Sequence, residues 1–236
     1  MTFKRFTQAA GIVGACATFV LIGAVVTSSR IYAQDRDRDG EREGDDSKIQ
    51  IGFAIAPVPL NLHGKNRQLV GLGSYLVNAV SECNGCHSAG PQTAFTPSGN
   101  PYLLPPVFGG QKHVNPATYL GGGRNFGPLV PGSAPIVSRN LTPDRTGLPE
   151  GGRTFAEFYQ IIRTGVDFDH LHPTCAPHTV GPNCVPFPFN GALLQIMPWS
   201  SYQDMTDHDI RAIYEYLSAV PCIGGPPTGP LHNDCG

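Results

Sequence analysis

The sequence predicts an all-α chain, with three main helices separated by long irregular segments. Three observations carry that prediction. Apolar residues recur at helical spacing in three stretches, and two of these open on a threonine followed three residues later by an acid. Gly 29 and Pro 23 are high for 236 residues, and most of them fall between Gly90 and Gly191, so the middle should be mainly loop. The length suits one ordinary domain with extensions rather than two full domains.

Residues 1–33 read as an export signal. Lys4 and Arg5 form a positive start, Ala9 to Val26 is an apolar run, and Ile31-Tyr32-Ala33 ends on a small residue suited to cleavage before Gln34. Two rival readings stay open: an uncleaved membrane anchor, since about 18 apolar residues reach the lower end of spanning length, and lipid attachment at Cys16. All three place the chain outside the cytoplasm, soluble or held to a membrane through its N-terminus.

Residues 34–50 are predicted to be a solvated charged linker. Seven acids lie between Asp35 and Asp46, mixed with Arg36, Arg38 and Arg42, and almost nothing apolar is present to offset ordering entropy. Residues 51–66 are expected to be extended. The net charge of −2 supplies no basic field for nucleic acid, so none is expected as a partner.

The first helix is expected over Arg67 to Ser81, where Leu69, Leu72, Leu76 and Val80 share one face. Gly73 interrupts it at a cost of about 1 kcal/mol relative to alanine, which predicts a closely crossing helix, with Tyr214 or Tyr216 packed on the bare backbone. The central helix is expected over Thr154 to Thr164: Thr154 and Glu157 form a capping box, Phe155, Phe158, Ile161 and Ile162 the apolar face, and Gly165 the stop. The last helix is expected over Thr206 to Ala219, with Thr206 and Asp209 at its start, Ile210, Ile213, Tyr214 and Leu217 on one face, and Pro221 beyond its end.

Cys83-Asn84-Gly85-Cys86-His87 follows the first helix and matches C-x-x-C-H, the pattern of covalent c-type haem attachment. Two thiols three positions apart can each form a thioether to one haem vinyl group, while the adjacent His87 reaches the iron. A redox dithiol would want a βαβ context and a zinc site a second ligand pair, and neither surrounds Cys83. The motif occurs once, so one covalent haem c is expected.

Met197 is the expected sixth ligand of the iron. It sits in Leu193-Leu194-Gln195-Ile196-Met197-Pro198-Trp199, where Pro198 restricts it to an extended conformation and Trp199 is large enough to cover a haem edge. Met205 is the rival thioether, better explained as a staple against Ile210 across the Thr206 cap. His113, His170, His172 and His178 are the rivals for a bis-histidine site. Methionine raises the haem potential and histidine lowers it.

Cys175, Cys184, Cys222 and Cys235 form an even set, expected as two disulfides. Local pairing, Cys175–Cys184 and Cys222–Cys235, is the expected choice among three, because each bridge would staple a loop or tail without core residues. A metal site built from these four with His172 or His178 is the alternative.

The chain resembles the monohaem class I cytochrome c domain, as found in cytochrome subunits of bacterial membrane-bound alcohol and gluconate dehydrogenases. The resemblance rests on Gly73-Ser74-Tyr75-Leu76-Val77-Asn78-Ala79-Val80 before Cys83-Asn84-Gly85-Cys86-His87, on Asn140-Leu141-Thr142-Pro143-Asp144, on Arg163-Thr164-Gly165-Val166, on Met197-Pro198-Trp199 and on Tyr216-Leu217. It implies a cytochrome c-like fold over residues 67–221 with a Cys-containing tail at 222–236. It also implies His87 and Met197 as axial ligands, the Asn140 loop as part of the haem wall, and periplasmic transfer of single electrons. Those subunits resemble several such domains in a row, whereas this chain has one, and Thr174 to Val185 and Cys222 to Cys235 are additions to the pattern.

An electron carrier rather than an enzyme is therefore expected, exchanging electrons with a dehydrogenase, a quinol-oxidising complex or a terminal oxidase. Two other readings stand beside it. One is a haem enzyme or gas sensor with an open sixth site, using His170, His172 and Arg163 as distal donors. The other is a structural subunit of a larger periplasmic redox complex, presenting Phe108, Phe126, Phe187 and Phe189.

Overall fold

A computed structural model describes residues 44–103, 112–225 and 229–236. The predicted export signal with Cys16, the charged linker as far as residue 43, and Phe108 lie outside the described residues. The chain divides into Met1–Ser47 and Lys48–Gly236, and the second unit holds all the packing that follows.

Residues 44–55 form helix α1, which corrects the expected linker to residue 50 and the expected extended start at residue 51. A helix isolated in water is marginal, and docking sustains this one. A Cβ on Gly52 would stand 1.9 Å from the Gly71 carbonyl oxygen, so the two glycine backbones abut while Ile49 and Phe53 flank Gly71. Ser74 Oγ, fully buried, donates to the Gly52 carbonyl at 2.7 Å, and the Arg67 guanidinium lies 4.4 Å from the Phe53 ring centroid. Charge composition near residue 45 conceals this apolar face.

Helix α2 runs Arg67–Tyr75, opened by Asn66, whose side chain accepts from the backbone N–H groups of Gln68 and Leu69. The expected first helix continues to Val80, but as a π-helical turn, Leu76–Val80. Glu82 then reverses the chain in the left-handed region (φ 47) and leads into the single turn α3, Cys83–Cys86.

The middle of the chain overturns the all-α expectation, and with it the cytochrome c-like fold class. Strands β1 (Asn125–Pro128) and β2 (Pro135–Val137) pair antiparallel, with an irregular register between Asn125 and Pro128. Three isolated bridges add to them: Phe95 with Val114, Val166 with Leu193, and Thr174 with Val185. The fold is mixed, helical with a small sheet. Glycine and proline stop helices there, but the N–H and C=O groups still need partners, and short extended pairings supply them.

The turn α4 (Pro149–Gly152) precedes α5 (Phe155–Thr164). Both halves of the Thr154–Glu157 capping box are present, and Gly165 ends α5 in the left-handed conformation (φ 70) that favours glycine. The turn α6 (Trp199–Tyr202) and helix α7 (Asp207–Leu217) follow, the latter capped by Thr206 accepting from the Asp209 N–H.

Helices α2 and α7 form the centre of the core. Val70, Leu72, Val77, Ile210, Tyr216 and Leu217 are buried there, joined by Phe158 and Ile162 from α5. Of the two expected tyrosines, Tyr216 lies against Gly73, whereas Tyr214 packs edge-on to Phe155 and donates its hydroxyl to the Arg153 carbonyl. Inside the core the Tyr119 and Tyr216 hydroxyls are 2.7 Å apart, and Asn78 bonds both.

The disulfides are Cys175–Cys184 and Cys222–Cys235, the local pairing that the sequence predicts. The tail beyond Cys222 is anchored as well as stapled: the Asn233 amide donates to the Thr142, Pro143 and Ile223 carbonyls. Two disulfides point to an oxidising, exported environment. No helix among the described residues is long and apolar enough to cross a membrane.

Candidate haem-attachment site

Backbone and side-chain bonds hold the Cys83–His87 turn on three sides. The His87 N–H donates to the Cys83 carbonyl at 2.8 Å, and the Gly122 N–H to the His87 carbonyl at 2.9 Å. Asn84 Oδ1 accepts from the Leu120 N–H, and Arg124 Nη1 donates to the Gly85 carbonyl at 2.6 Å. Asn84 and Gly85, the two inner residues of the motif, therefore tie it to the 120–124 segment.

His87 Nδ1 lies 2.8 Å from the Arg139 carbonyl oxygen. A carbonyl can only accept, so Nδ1 carries the proton and the Nε2 lone pair is available to a metal. Burial holds the imidazole below its ordinary pKa, and the Arg139 carbonyl bond only partly opposes that shift. His87 is thus an oriented imidazole whose Nε2 is left free for a ligand role.

Cys83 and Cys86 are free thiols, while the other four described cysteines are paired. Burial foremost, and then the neighbouring Cys86, pushes the Cys83 thiol up to about 12. Redox-active C-x-x-C pairs work through a lowered thiol pKa, so this environment speaks against a dithiol oxidoreductase. Among the described residues no group of three or more His, Cys, Asp or Glu side chains could hold a metal ion, as a zinc site would require.

Cys83, Cys86 and His87 line a cavity of about 810 Å³, within the ~300–1,000 Å³ range of small-molecule and cofactor sites. Phe158, Ile161, Ile162, Ile213 and Leu217 give it an apolar floor, and Arg139, Glu150 and Asp167 give it one polar end. Met197 is in the wall. Ile196 before it adopts a left-handed backbone (φ 70), and the Met197 N–H donates to the Gln195 carbonyl at 2.8 Å.

Met205 also lines this cavity, beyond the capping role expected of it, and of the four rival histidines only His172 does. Trp199 stands elsewhere. It is absent from the cavity wall and packs over Gly165, where an added Cβ would stand 2.2 Å from the indole, with Nε1 donating to the Leu194 carbonyl. Gly165 has no side chain, so the indole can cover the end of α5.

The Asn140 loop reaches the cavity through residues other than Asn140 itself. Its neighbours Arg139 and Leu141 line the large cavity, but its own side chain bonds Thr142 and the Ile223 carbonyl, tying the loop to the tail. Of the suggested distal donors, Arg163 lies outside the cavity wall, bound to Asp207 and the Gln203 carbonyl. Phe126 lines the cavity, whereas Phe187 and Phe189 are exposed.

The polar end was not foreseen from the sequence. Arg139 Nη2 is 2.6 Å from Asp167, and its Nε is 2.9 Å from Asp169. Burial opposes the Arg139 charge and the Asp167 carboxylate outweighs it, so its pKa stands above the ordinary value. Only proximity to the Asn140-Leu141-Thr142-Pro143-Asp144 run marks Arg139 in the sequence. Isolated charges in loop sequence read as solvated.

No protein-family model matches this chain, and neither a curated protein nor a solved structure matches it.

Proposed function

We propose that this chain is an exported c-type cytochrome. It would hold one haem through thioethers to Cys83 and Cys86, with His87 and Met197 as axial ligands, and carry single electrons in the periplasm. One observation carries the reading. Two free thiols, an imidazole with its Nε2 lone pair available, and a methionine line a single largely apolar cavity of cofactor size.

The haem supplies one-electron chemistry at its iron. The protein's part is attachment, orientation and exclusion of water. The bond to the Arg139 carbonyl fixes the His87 tautomer and raises its basicity as a ligand. The apolar floor from α5 and α7 keeps the local dielectric low, which favours the less charged reduced state. A haem held by both His87 and Met197 would offer substrate no open site at its iron, and the partners would be other redox proteins: a dehydrogenase, a quinol-oxidising complex or a terminal oxidase. The resemblance to dehydrogenase cytochrome subunits supports the first of these.

The test is the visible spectrum of protein exported from a host competent in cytochrome c maturation, with a haem stain after denaturing electrophoresis. Sharp reduced bands indifferent to carbon monoxide, and haem that stays with the denatured chain, are expected. A chain that emerges colourless in such a host would falsify the reading.

A further inference from the structure

Glu150 occupies a position that electron carriage alone does not explain. It lines the polar end of the large cavity and also a second, polar cleft of about 220 Å³, shared with Arg139, Arg153, Glu157, Asp169 and His232. Glu150 itself is in the left-handed region (φ 52, ψ 46), followed by Gly151 in the same region. The Glu150 N–H donates to the Leu141 carbonyl and the Gly151 N–H to the Thr142 carbonyl, which pins this turn against the cavity wall.

The nearby guanidinium groups are committed elsewhere. Arg139 pairs with Asp167 and Asp169, and Arg153 with Asp169 and Glu157, so among the described residues neither closes an ion pair on Glu150. Desolvation first, eased by Arg139 and Arg153 and reinforced by Asp169 and Asp167, pushes the Glu150 carboxyl up to about 7. The groups facing it are thus Arg139 from the segment after β2, Asp167 and Asp169 from the segment after α5, Arg153 and Glu157 at the start of α5, and His232 from the tail. His232 has an interaction of its own.

We propose that Glu150 is a redox-linked proton site, which takes a proton from solvent through the polar cleft when the haem in the adjoining cavity is reduced and returns it on oxidation. The inference rests on the haem reading above. One electron from a redox protein converts iron(III) to iron(II), and one proton from bulk water converts the Glu150 carboxylate to the acid. Both leave when an acceptor protein takes the electron. The added negative charge raises the proton affinity of a carboxylate that shares the low-dielectric cavity. By reciprocity, protonating Glu150 favours reduction.

The experiment is a spectroelectrochemical titration of the haem-loaded protein from acid to alkaline pH, for wild type, Glu150→Gln and Glu150→Asn. Asparagine tolerates left-handed backbone well, so it keeps a non-titrating variant in hand if glutamine disturbs the turn. The wild-type midpoint potential should fall with rising pH across neutrality and level off on either side, and both variants should be flat there. Reduction of wild type in weak buffer near pH 7 should draw protons from an indicator dye, and reduction of the variants should not. A flat wild-type potential, or a slope that survives in the variants and so belongs to another group, overturns the proposal and leaves the haem reading standing. Loss of the haem reading itself would show earlier, as a missing absorption spectrum.

Discussion

Gly73 on α2 and Ala212 on α7 meet with no room for a side chain: a Cβ on Gly73 would stand 1.9 Å from the Ala212 carbonyl oxygen and 2.7 Å from the Tyr216 Cβ. The obstacle is backbone, which cannot swing aside. Gly73→Ala gains about 1 kcal/mol of helix propensity but must part the two central helices, and overpacking of this kind costs ~1–3 kcal/mol or more. Net destabilisation of up to ~2 kcal/mol is expected by denaturant unfolding, with Gly181→Ala, whose nearest neighbour is the Cys184 sulfur at 3.5 Å, near neutral.

Met197 and Met205 line the same cavity, so substitution must separate them. Met197→Ala should abolish the weak red band of the sulfur–iron(III) bond, open the reduced iron to carbon monoxide and lower the potential. Met205→Ala should keep the band and lose only packing, ~2–3 kcal/mol at a half-buried site. The opposite pattern would move the ligand to Met205, and a wild-type spectrum without the band would point to His172.

The two disulfides close loops of sequence separation 9 and 13, for which chain entropy gives about 2.5–3 kcal/mol each. The tail bridge should matter more. Asn233 is buried and its amide joins the tail to Thr142 and Pro143, so freeing the tail also undoes the loop that carries Arg139. Cys222→Ser with Cys235→Ser should lower the melting temperature more than Cys175→Ser with Cys184→Ser, and should also weaken haem retention. Equal effects would reduce the tail to a simple staple.

Glu150 gives the chain an unusual pH dependence of stability. Its folded pKa, about 7, is raised above the ordinary 4.5, so the folded state binds more protons in that interval. Stability from this group is therefore full below about pH 4.5 and lost as pH rises towards 7, up to roughly 3 kcal/mol at 1.36 kcal/mol per unit. Glu157 and Asp207 have the opposite sign. Their pKa values are lowered, first by the Thr154 backbone N–H and the Tyr159 hydroxyl respectively, so their contribution fades in acid. Chemical denaturation at pH 5 and pH 8 should show the wild type losing more stability than Glu150→Gln over that span, and an identical loss in both would refute the assignment.

Helix starts and stops were legible because their causes are local. Thr154 with Glu157, Thr206 with Asp209, and Gly165 act within one turn of themselves, and α5 and α7 begin where those residues stand. Helix α1 was not legible, because what makes residues 44–55 helical is the Gly52–Gly71 approach, a partner nearly twenty positions away. The small sheet escaped for a related reason. Glycine and proline announce that a helix ends, not which distant backbone will satisfy the groups left over.

The sequence by itself determined the C-x-x-C-H motif, the three principal helices and the favoured cysteine pairing, because spacing along a chain fixes which groups lie within reach of one turn or one short loop. Only the tertiary structure decided where the rest of the cavity came from. It turned Trp199 onto Gly165 and Asn140 towards the tail, brought Met205 and His172 to the cavity wall that Met197 also lines, and gathered Arg139, Glu150 and Asp167 at one polar end. Those placements depend on packing and desolvation among residues far apart in sequence, and such energies arise only after the chain has closed around them.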